Sequence, residues 1–165
     1  MMKKTIIILL LCILSLTACA RRAPVYREDI AVKQVQEEVD GMLYHTDSLI
    51  SYDPEEVRFY LDLPEEYCSD CIVRAQTSSV SIDEYGIFHC KTEEEAEKLE
   101  DLLEDYLERT LEGKREWLQS YNPAELQKLE RSDVERFGCY VFYGILDPPT
   151  ERLVTERVEG LLRDK

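Results

Sequence analysis

The chain is poor in basic residues, and this shortage limits what it can bind. Its 165 residues include 20 Lys and Arg against 35 Asp and Glu, a formal net charge of −15 at neutral pH. Binding to nucleic acid needs clustered cations that neutralise phosphates, so we expect no nucleic-acid partner. Anionic lipid would be repelled as well, except near Arg21, Arg22 and Arg27, where cations favour an anionic membrane surface.

The sequence also lacks the short motifs that hold cofactors or form common active sites. It contains no Gly-x-Gly-x-x-Gly, no phosphate-binding loop and no His-Glu-x-x-His pattern. Gly-x-Ser-x-Gly and Ser-x-x-Lys are absent too. The two histidines, His45 and His89, lie far apart in the sequence, and we expect them at the surface or at a strand end. These absences favour a binding protein over an enzyme.

No apolar run is long enough to form a transmembrane helix. The longest run, residues 5–16, rises only ~18 Å as a helix, well short of a ~30 Å hydrocarbon core. It follows Lys3 and Lys4 and leads into Leu-Thr-Ala-Cys at residues 16–19. A positive segment, a short apolar segment and small residues before a cleavage point are the layout of a secretory signal. We therefore expect residues 1–18 to be a signal peptide.

Cys19, directly after Leu-Thr-Ala, resembles the cysteine of the bacterial lipobox. That resemblance implies that the thiol receives a diacylglycerol, that cleavage leaves Cys19 as the N-terminus, and that its amine can then carry a fatty acid such as palmitate. Two acyl chains hold a protein stably on a membrane, whereas one gives reversible binding. The motif predicts a lipoprotein on the outer face of the bacterial cell membrane. Cleavage removes two lysines and no acid, so the formal charge falls to −17.

The chain left after cleavage is long enough for one domain with a core, but not for two. Residues 19–27 are expected to form a membrane-proximal tether that reaches about 30 Å at most. Residues 28–165 are expected to form a single α+β domain.

Apolar periodicity and capping residues predict the helices. A first helix is expected over residues 28–43 and a long one over residues 93–118. Shorter ones are expected over residues 54–60 and 123–130, and a last one after residue 147. Asp53 before a proline, Thr92 with Glu95, and Asn122 with Glu125 are the predicted helix starts.

β-Branched and aromatic residues predict the strands. Residues 71–78 and 82–90 are expected to form an antiparallel hairpin, and residues 134–146 one central buried strand. The predicted fold is therefore a small antiparallel sheet of about three strands, covered by helices, with one long central helix.

Four segments between Asp53 and Leu146 carry a resemblance to a known family. They are Asp-Pro-Glu-Glu-Val with the Tyr-Leu-Asp that follows it, Asp-Glu-Tyr-Gly-Ile-Phe from residue 83, Tyr-Asn-Pro-Ala-Glu from residue 121, and Gly-Cys-Tyr-Val-Phe from residue 138. The stretch resembles a bacterial lipoprotein family catalogued as a domain of unknown function, number forty-three fifty-eight. The resemblance implies a lipid-anchored, extracytoplasmic domain and implies no activity.

Four further cysteines are outside the pattern of that family: Cys68, Cys71, Cys90 and Cys139. Outside the membrane, an even number of thiols favours disulfides, and four cysteines allow three pairings. The predicted hairpin places Cys71 opposite Cys90. A four-thiolate zinc site, with His89 as a possible additional ligand, a thioredoxin-like redox pair and plain buried thiols remain alternatives.

Acidic and tyrosine residues supply the remaining candidates for function. The long helix has a row of glutamates, which we interpret as a solvated face because it lacks EF-hand spacing. Ten tyrosines are expected mainly in the core, with some in an exposed patch that fits a protein interface. Tyr121, Tyr140 and Tyr143 are assigned to a core-like stretch. The first hypothesis is a non-catalytic binding or accessory domain with an envelope protein as partner. The alternatives are a small-ligand-binding or metal-binding lipoprotein and a thiol-redox enzyme.

Overall fold

The computed structural model of the protein describes residues 24–77 and 81–164, so the predicted signal peptide and Cys19 lie outside the described residues. Within those residues the chain forms five α-helices, one short 3₁₀ turn and five strands. In chain order they are α1 (Val32–Asp40), the 3₁₀ turn (Thr46–Ser48), β1 (Leu49–Tyr52), α2 (Pro54–Leu61), β2 (Asp70–Gln76), β3 (Glu84–His89), α3 (Glu93–Tyr121), α4 (Pro123–Leu129), β4 (Val134–Phe137), β5 (Tyr140–Ile145) and α5 (Pro148–Leu162).

The strands form one antiparallel sheet in the order β1-β2-β3-β5-β4. The α+β class and the long helix are therefore confirmed, but the prediction of about three strands is wrong. The predicted strand over residues 134–146 is two strands, because Gly138 has φ +62° and turns the chain back on itself. Strand β1 was not predicted. It is short and has two exposed residues in its middle, so its hydrophobic pattern does not indicate a strand.

Helices cover both faces of the sheet. The face under α2, α3 and α4 holds a core cluster that includes Val73, Phe88, Leu103 and Tyr143. The other face, under α1 and α5, holds a second cluster that includes Val35, Tyr85 and Val158. Strands β3 and β5 lie at the centre and are buried along almost their whole length, which is why their residues read as continuous apolar runs.

Two of the three predicted helix starts form their capping hydrogen bonds. The Asp53 carboxylate accepts from the backbone N–H groups of Glu55 and Glu56, at 2.9 Å each. The Thr92 hydroxyl accepts from the Glu95 N–H, and the Glu95 side chain accepts from the Thr92 N–H. Asn122 makes no capping hydrogen bond with its side chain. Its predicted partner Glu125 is buried and instead accepts a hydrogen bond from the N–H of Ile82 at 2.8 Å.

The last residues of the predicted tether pair with the end of the chain. The N–H of Arg27 donates to the Leu162 carbonyl at 2.7 Å, and the N–H of Asp164 donates to the Val25 carbonyl at 2.9 Å. Tyr26 also forms an antiparallel bridge with Arg163. The folded part of the molecule therefore begins by Val25. In the described part of the chain no helix is both long and apolar enough to cross a membrane.

Candidate functional site

A buried carboxylate lies at the start of β3. Glu84 is only 6 % exposed, and its Oε1 accepts hydrogen bonds from the hydroxyls of Tyr143 at 2.6 Å and Tyr106 at 2.7 Å. Burial raises the pKa of the Glu84 carboxyl, whereas the two tyrosine hydrogen bonds and the more distant Lys114 lower it. The same burial and the adjacent carboxylate raise the pKa of Tyr143 and Tyr106, which therefore remain hydrogen-bond donors.

Tyrosine side chains connect Glu84 with the protein surface. The hydroxyl of Tyr106 on α3 lies 3.1 Å from that of Tyr60 on α2. The Tyr60 ring stacks on Tyr52 of β1, with ring centroids 5.7 Å apart and planes 4° apart. Tyr60 is 47 % exposed, and its neighbour Phe59 is 91 % exposed. We call Tyr52, Phe59, Tyr60 and Tyr106 together the aromatic surface. Its exposed rings are Phe59 and Tyr60, whereas Tyr52 and Tyr106 are half-buried against the core cluster.

Local sequence explains why Phe59 points to solvent. Helix α2 buries Val57 and Leu61 against the sheet, and these positions are four residues apart on one helical face. Phe59 lies midway between them and therefore faces away from the core. A nearly fully exposed phenylalanine is unusual for a residue type that is ordinarily buried. No burial or packing requirement within the described chain accounts for it.

Acidic side chains border the aromatic surface. The first turn of α2 begins at Asp53 and carries Glu55 and Glu56, and all three are exposed. Asp105, next to Tyr106, is exposed as well. Aromatic rings attract cations through their faces, and carboxylates nearby add to that attraction. The combination suits a lysine or arginine side chain of a partner.

A second pair of aromatic residues lies on the same helix as Tyr106. Trp117 and Tyr121 have ring centroids 6.0 Å apart, and both are substantially exposed. Trp117 follows Tyr106 by three helical turns, so it points to nearly the same side of α3 about 16 Å further along. The prediction that Tyr121 belongs to the core is wrong, since it is 77 % exposed. Tyr140 and Tyr143, predicted with it, are buried.

A cavity of about 380 Å³ lies at the end of the sheet where β1 and β3 begin and β2 and β5 end. Its lining includes Tyr44, His45, Asp47, Gln76 and Asp83. His45 has a left-handed backbone with φ 66°, a conformation in which histidine is enriched over most residues other than glycine. The cavity is large enough for a small ligand. His89, by contrast, stacks on Tyr140 with ring centroids 4.3 Å apart, in agreement with a strand-end role.

The glutamate row of α3 faces mostly solvent. Glu93, Glu97, Glu104 and Glu108 are exposed. Glu100 is partly buried because it accepts a hydrogen bond from Arg136 of β4 at 2.6 Å. Among the residues that the structure describes, no group of three or more His, Cys, Asp and Glu side chains is arranged to hold a metal ion.

The four cysteines are buried and free, and they lie at one end of the sheet. The predicted hairpin register is wrong by two residues, since Cys71 pairs with Phe88 rather than with Cys90. Cys90 instead faces Cys139, and the N–H of Cys90 donates to the Cys139 carbonyl at 2.8 Å. Cys68, Cys71 and Cys90 share the core cluster under α3. The Cys139 thiol lies outside that cluster, 3.7 Å from Oε1 of Glu28.

The surroundings of the four thiols shift their pKa values in different directions. Burial raises the pKa of Cys90 to about 12, and burial also raises that of Cys139. The Cys68 and Cys71 thiols act on each other, which lowers the pKa of Cys68 and raises that of Cys71. Neutral, buried thiols of this kind behave as small apolar side chains toward the core.

The burial of Glu84 and the hydrogen bond that it accepts from Tyr106 were not predicted from the sequence. Tyr106 keeps helical spacing with the buried leucines of α3 and packs against the core cluster, but the contact of its hydroxyl with Glu84 cannot be inferred from that spacing. The available signal was an acid at the start of a strand that is otherwise continuously apolar, because a buried acid needs hydrogen-bond donors.

One comparison with known proteins found a match. The model of the family described as a domain of unknown function, DUF4358, matches residues 45–146. The match starts before β1 and ends just after β5, so it includes Glu84, the aromatic surface and the four cysteines. No curated protein and no solved structure matches the chain significantly. Since the family model covers more than half of the chain, the protein belongs to the DUF4358 family of domains of unknown function.

Proposed function

We propose that this protein is a lipid-anchored, extracytoplasmic domain that binds a protein partner and catalyses no reaction. Cys19 would carry the lipid and hold the domain at the outer face of the bacterial membrane. The aromatic surface would contact a basic segment of an envelope protein. The observation that carries the proposal is Phe59, an apolar ring that is 91 % exposed and adjacent in sequence to Tyr60 of the stacked tyrosine pair.

Aromatic side chains dominate binding energy at protein interfaces because they bury a large area at low entropic cost. Here the tyrosines are already held in place, by the stacking of Tyr52 on Tyr60 and by the hydrogen bond from Tyr60 to Tyr106. A surface that is ordered before binding loses less conformational entropy on association. The chain's net charge of −15 and the acids beside the rings favour a basic partner.

Site-specific crosslinking in native membranes tests the proposed surface. A photo-crosslinking amino acid at position 59 should capture a defined protein, and the yield should fall as salt is raised, because salt screens charges over about 8 Å at physiological ionic strength. The matched control is position 153, because Leu153 is likewise an exposed apolar residue but lies on α5, on the opposite side of the sheet. Equal capture at both positions would contradict the proposal.

A second test uses substitutions that do not disturb the core. Phe59→Ser should lower capture of the partner by about tenfold or more, since a central aromatic contact contributes about 2 kcal/mol or more. Tyr44→Ser is the control, because Tyr44 is 90 % exposed and lies at the cavity rather than at the aromatic surface. Unchanged capture by the Phe59 variant would exclude this surface as the contact.

The cavity beside His45 supports a second candidate function, the binding of a small ligand. Its volume of about 380 Å³ and its mixed lining of leucine, tyrosine and polar side chains are compatible with a small organic molecule. A thermal-shift screen of small metabolites tests this alternative, because a ligand that binds the folded state raises the melting temperature. The His45→Ala variant should then lose the shift.

A further inference from the structure

The segment between Cys68 and Cys71 is held in a bend against β3. Ser69 donates two hydrogen bonds to the His89 carbonyl, from its N–H and from its hydroxyl, each at 2.8 Å. The strand pairing of Asp70 with His89 then begins β2. This arrangement turns Cys68 and Cys71, three positions apart, toward the same core cluster, where they are 1 % and 3 % exposed.

The contacts of the four thiols separate one pair from the other two. Cys68 and Cys71 lie three positions apart in one bend and point into the same core cluster, and each thiol shifts the pKa of the other. The Cys139 thiol donates instead to the Glu28 carboxylate at 3.7 Å. A backbone hydrogen bond joins Cys90 to Cys139. The Cys90 side chain belongs to the core cluster, but the Cys139 side chain does not. Of the three pairings open to four cysteines, one joins Cys68 with Cys71, the two thiols that this bend brings into the same buried cluster.

We propose that Cys68 and Cys71 form an intramolecular disulfide in the exported protein, while Cys90 and Cys139 remain thiols. The proposal rests on the extracytoplasmic location proposed above, because disulfides persist in oxidising compartments. The oxidant it requires is a protein or small-molecule disulfide of that compartment. The bond would fasten the start of β2 beneath α3.

The reaction is two successive thiol–disulfide exchanges. The Cys68 thiolate attacks one sulfur of the oxidant's disulfide, which forms a mixed disulfide and releases one thiolate. The Cys71 thiolate then attacks Sγ of Cys68, which forms the intramolecular bond and releases the second thiolate. Two electrons pass to the oxidant, and the two protons lost by the cysteines leave through solvent and protonate the released thiolates.

Local electrostatics favour Cys68 as the first nucleophile. The Cys71 thiol lowers the pKa of Cys68, and the cationic side chain of Arg58 acts in the same direction on both thiols. The Nε–H of Arg58 is buried, with no acceptor in the described part of the chain. Since both sulfurs are buried in the finished fold, a bulky oxidant reaches them before α3 packs over the sheet, and Cys68 attacks first when the bend and Arg58 are already in place at that stage.

Peptide mapping tests the proposed bond without any mutation. The full-length lipoprotein, purified in detergent, is refolded from denaturant in a mixture of reduced and oxidised glutathione, alkylated and digested with trypsin. Cleavage after Arg58, Arg74, Lys91, Arg136 and Arg152 places Cys68 and Cys71 together on residues 59–74, Cys90 on 75–91, and Cys139 on 137–152. We expect peptide 59–74 to be unalkylated and lighter by two hydrogens, and the other two peptides to be alkylated. A link between any two of these peptides, or four alkylated thiols, would overturn the inference.

Protein taken directly from cells separates this inference from the proposed location. A disulfide in peptide 59–74 of the membrane-anchored protein supports both. Four free thiols in membrane-anchored protein overturn the disulfide and leave the anchor intact. Protein that is neither acylated nor exported contradicts the location, and the glutathione experiment then decides the pairing alone. Cys139→Ser is the matched control, because replacing a thiol outside the pair should leave the bond unchanged.

Discussion

Glu84 shows how one residue can link the core of this domain with its surface. Its carboxylate is buried on an otherwise apolar strand, and two tyrosine hydroxyls donate to the same oxygen. Through Tyr106 it also orients Tyr60, which is part of the aromatic surface. A buried acid with these partners is costly when ionised and holds a specific arrangement of rings in place.

Replacement of Glu84 by glutamine should change how stability depends on pH. Well below its ordinary pKa of 4.5 the carboxyl is protonated in both folded and unfolded chains. As pH rises through that value the unfolded chain ionises first, because burial raises the folded-state pKa. The wild-type free energy of unfolding therefore falls as pH rises, and Glu84→Gln removes this contribution. Urea unfolding should be measured at about pH 5 and about pH 7.5. The free energy of unfolding of the variant, relative to that of wild type, should be higher at about pH 7.5 than at about pH 5.

Glu94→Gln is the matched control for this measurement. Lys98 lowers the pKa of the exposed Glu94 carboxyl through a hydrogen bond and its charge. Its contribution to stability is therefore present above the ordinary pKa of 4.5 and lost only below it, so between about pH 5 and about pH 7.5 Glu94→Gln should change little relative to wild type. If both variants changed stability in the same direction with pH, burial of Glu84 would not be the cause.

Gly86 is required by close packing in the central strand. A Cβ at this position would lie 2.3 Å from Cε1 of Tyr143 and 2.7 Å from Cε2 of Phe88, and both rings are buried. We expect Gly86→Ala to lower the free energy of unfolding by about 1–3 kcal/mol, because neither ring has room to move. Gly113→Ala is the control, since a Cβ there meets no atom within 4 Å. In a helix interior it should raise stability by up to about 1 kcal/mol. Chemical denaturation of both variants checks the signs.

At the level of elements, side-chain caps fix where α2 and α3 begin. Asp53→Ala removes the acceptor for the N–H groups of Glu55 and Glu56 and should cost about 1 kcal/mol of stability. Asp147→Ala should cost less, because Asp147 precedes α5 without a side-chain capping hydrogen bond. Denaturant midpoints of the two variants measure the difference. An equal loss in both would mean that the cap does not stabilise α2.

The placement of α2 also decides which residues form the aromatic surface. Its cap orients Val57 and Leu61 toward the sheet, so Phe59 must point outward and Tyr60 must lie beside Tyr52. A shift of the helix start by one residue would rotate this set by about 100° around the helix axis. We therefore expect the Asp53→Ala variant to weaken partner capture more than its small loss of stability would explain. Crosslinking at position 59 in this variant measures that effect.

For the whole molecule, the proposed lipid anchor at Cys19 is the feature that would hold the domain at the membrane. Cys19→Ser should leave an uncleaved or released product without lipid, because serine offers no thiol to acylate. Fatty-acid labelling and fractionation of membranes measure this outcome. The Cys139→Ser variant, with the predicted anchor intact, should label and fractionate as wild type. Continued labelling of the Cys19 variant in the membrane fraction would rule out Cys19 as the site of lipidation.

The sequence alone determined the local features of this protein. These features depend on residues close together in the chain, so they could be predicted. They are the helix starts at Asp53 and Thr92, the apolar runs of β3 and β5, and the family resemblance. Three features could not be predicted from the sequence. They are strand β1, the register that places Cys71 opposite Phe88, and the contact of Glu84 with Tyr106 and Tyr143. These depend on packing between segments distant in sequence. A two-residue change of register preserves the alternation of faces and so leaves no trace in the local pattern. Only the tertiary structure decided which cysteines meet, and which aromatic residues stay exposed.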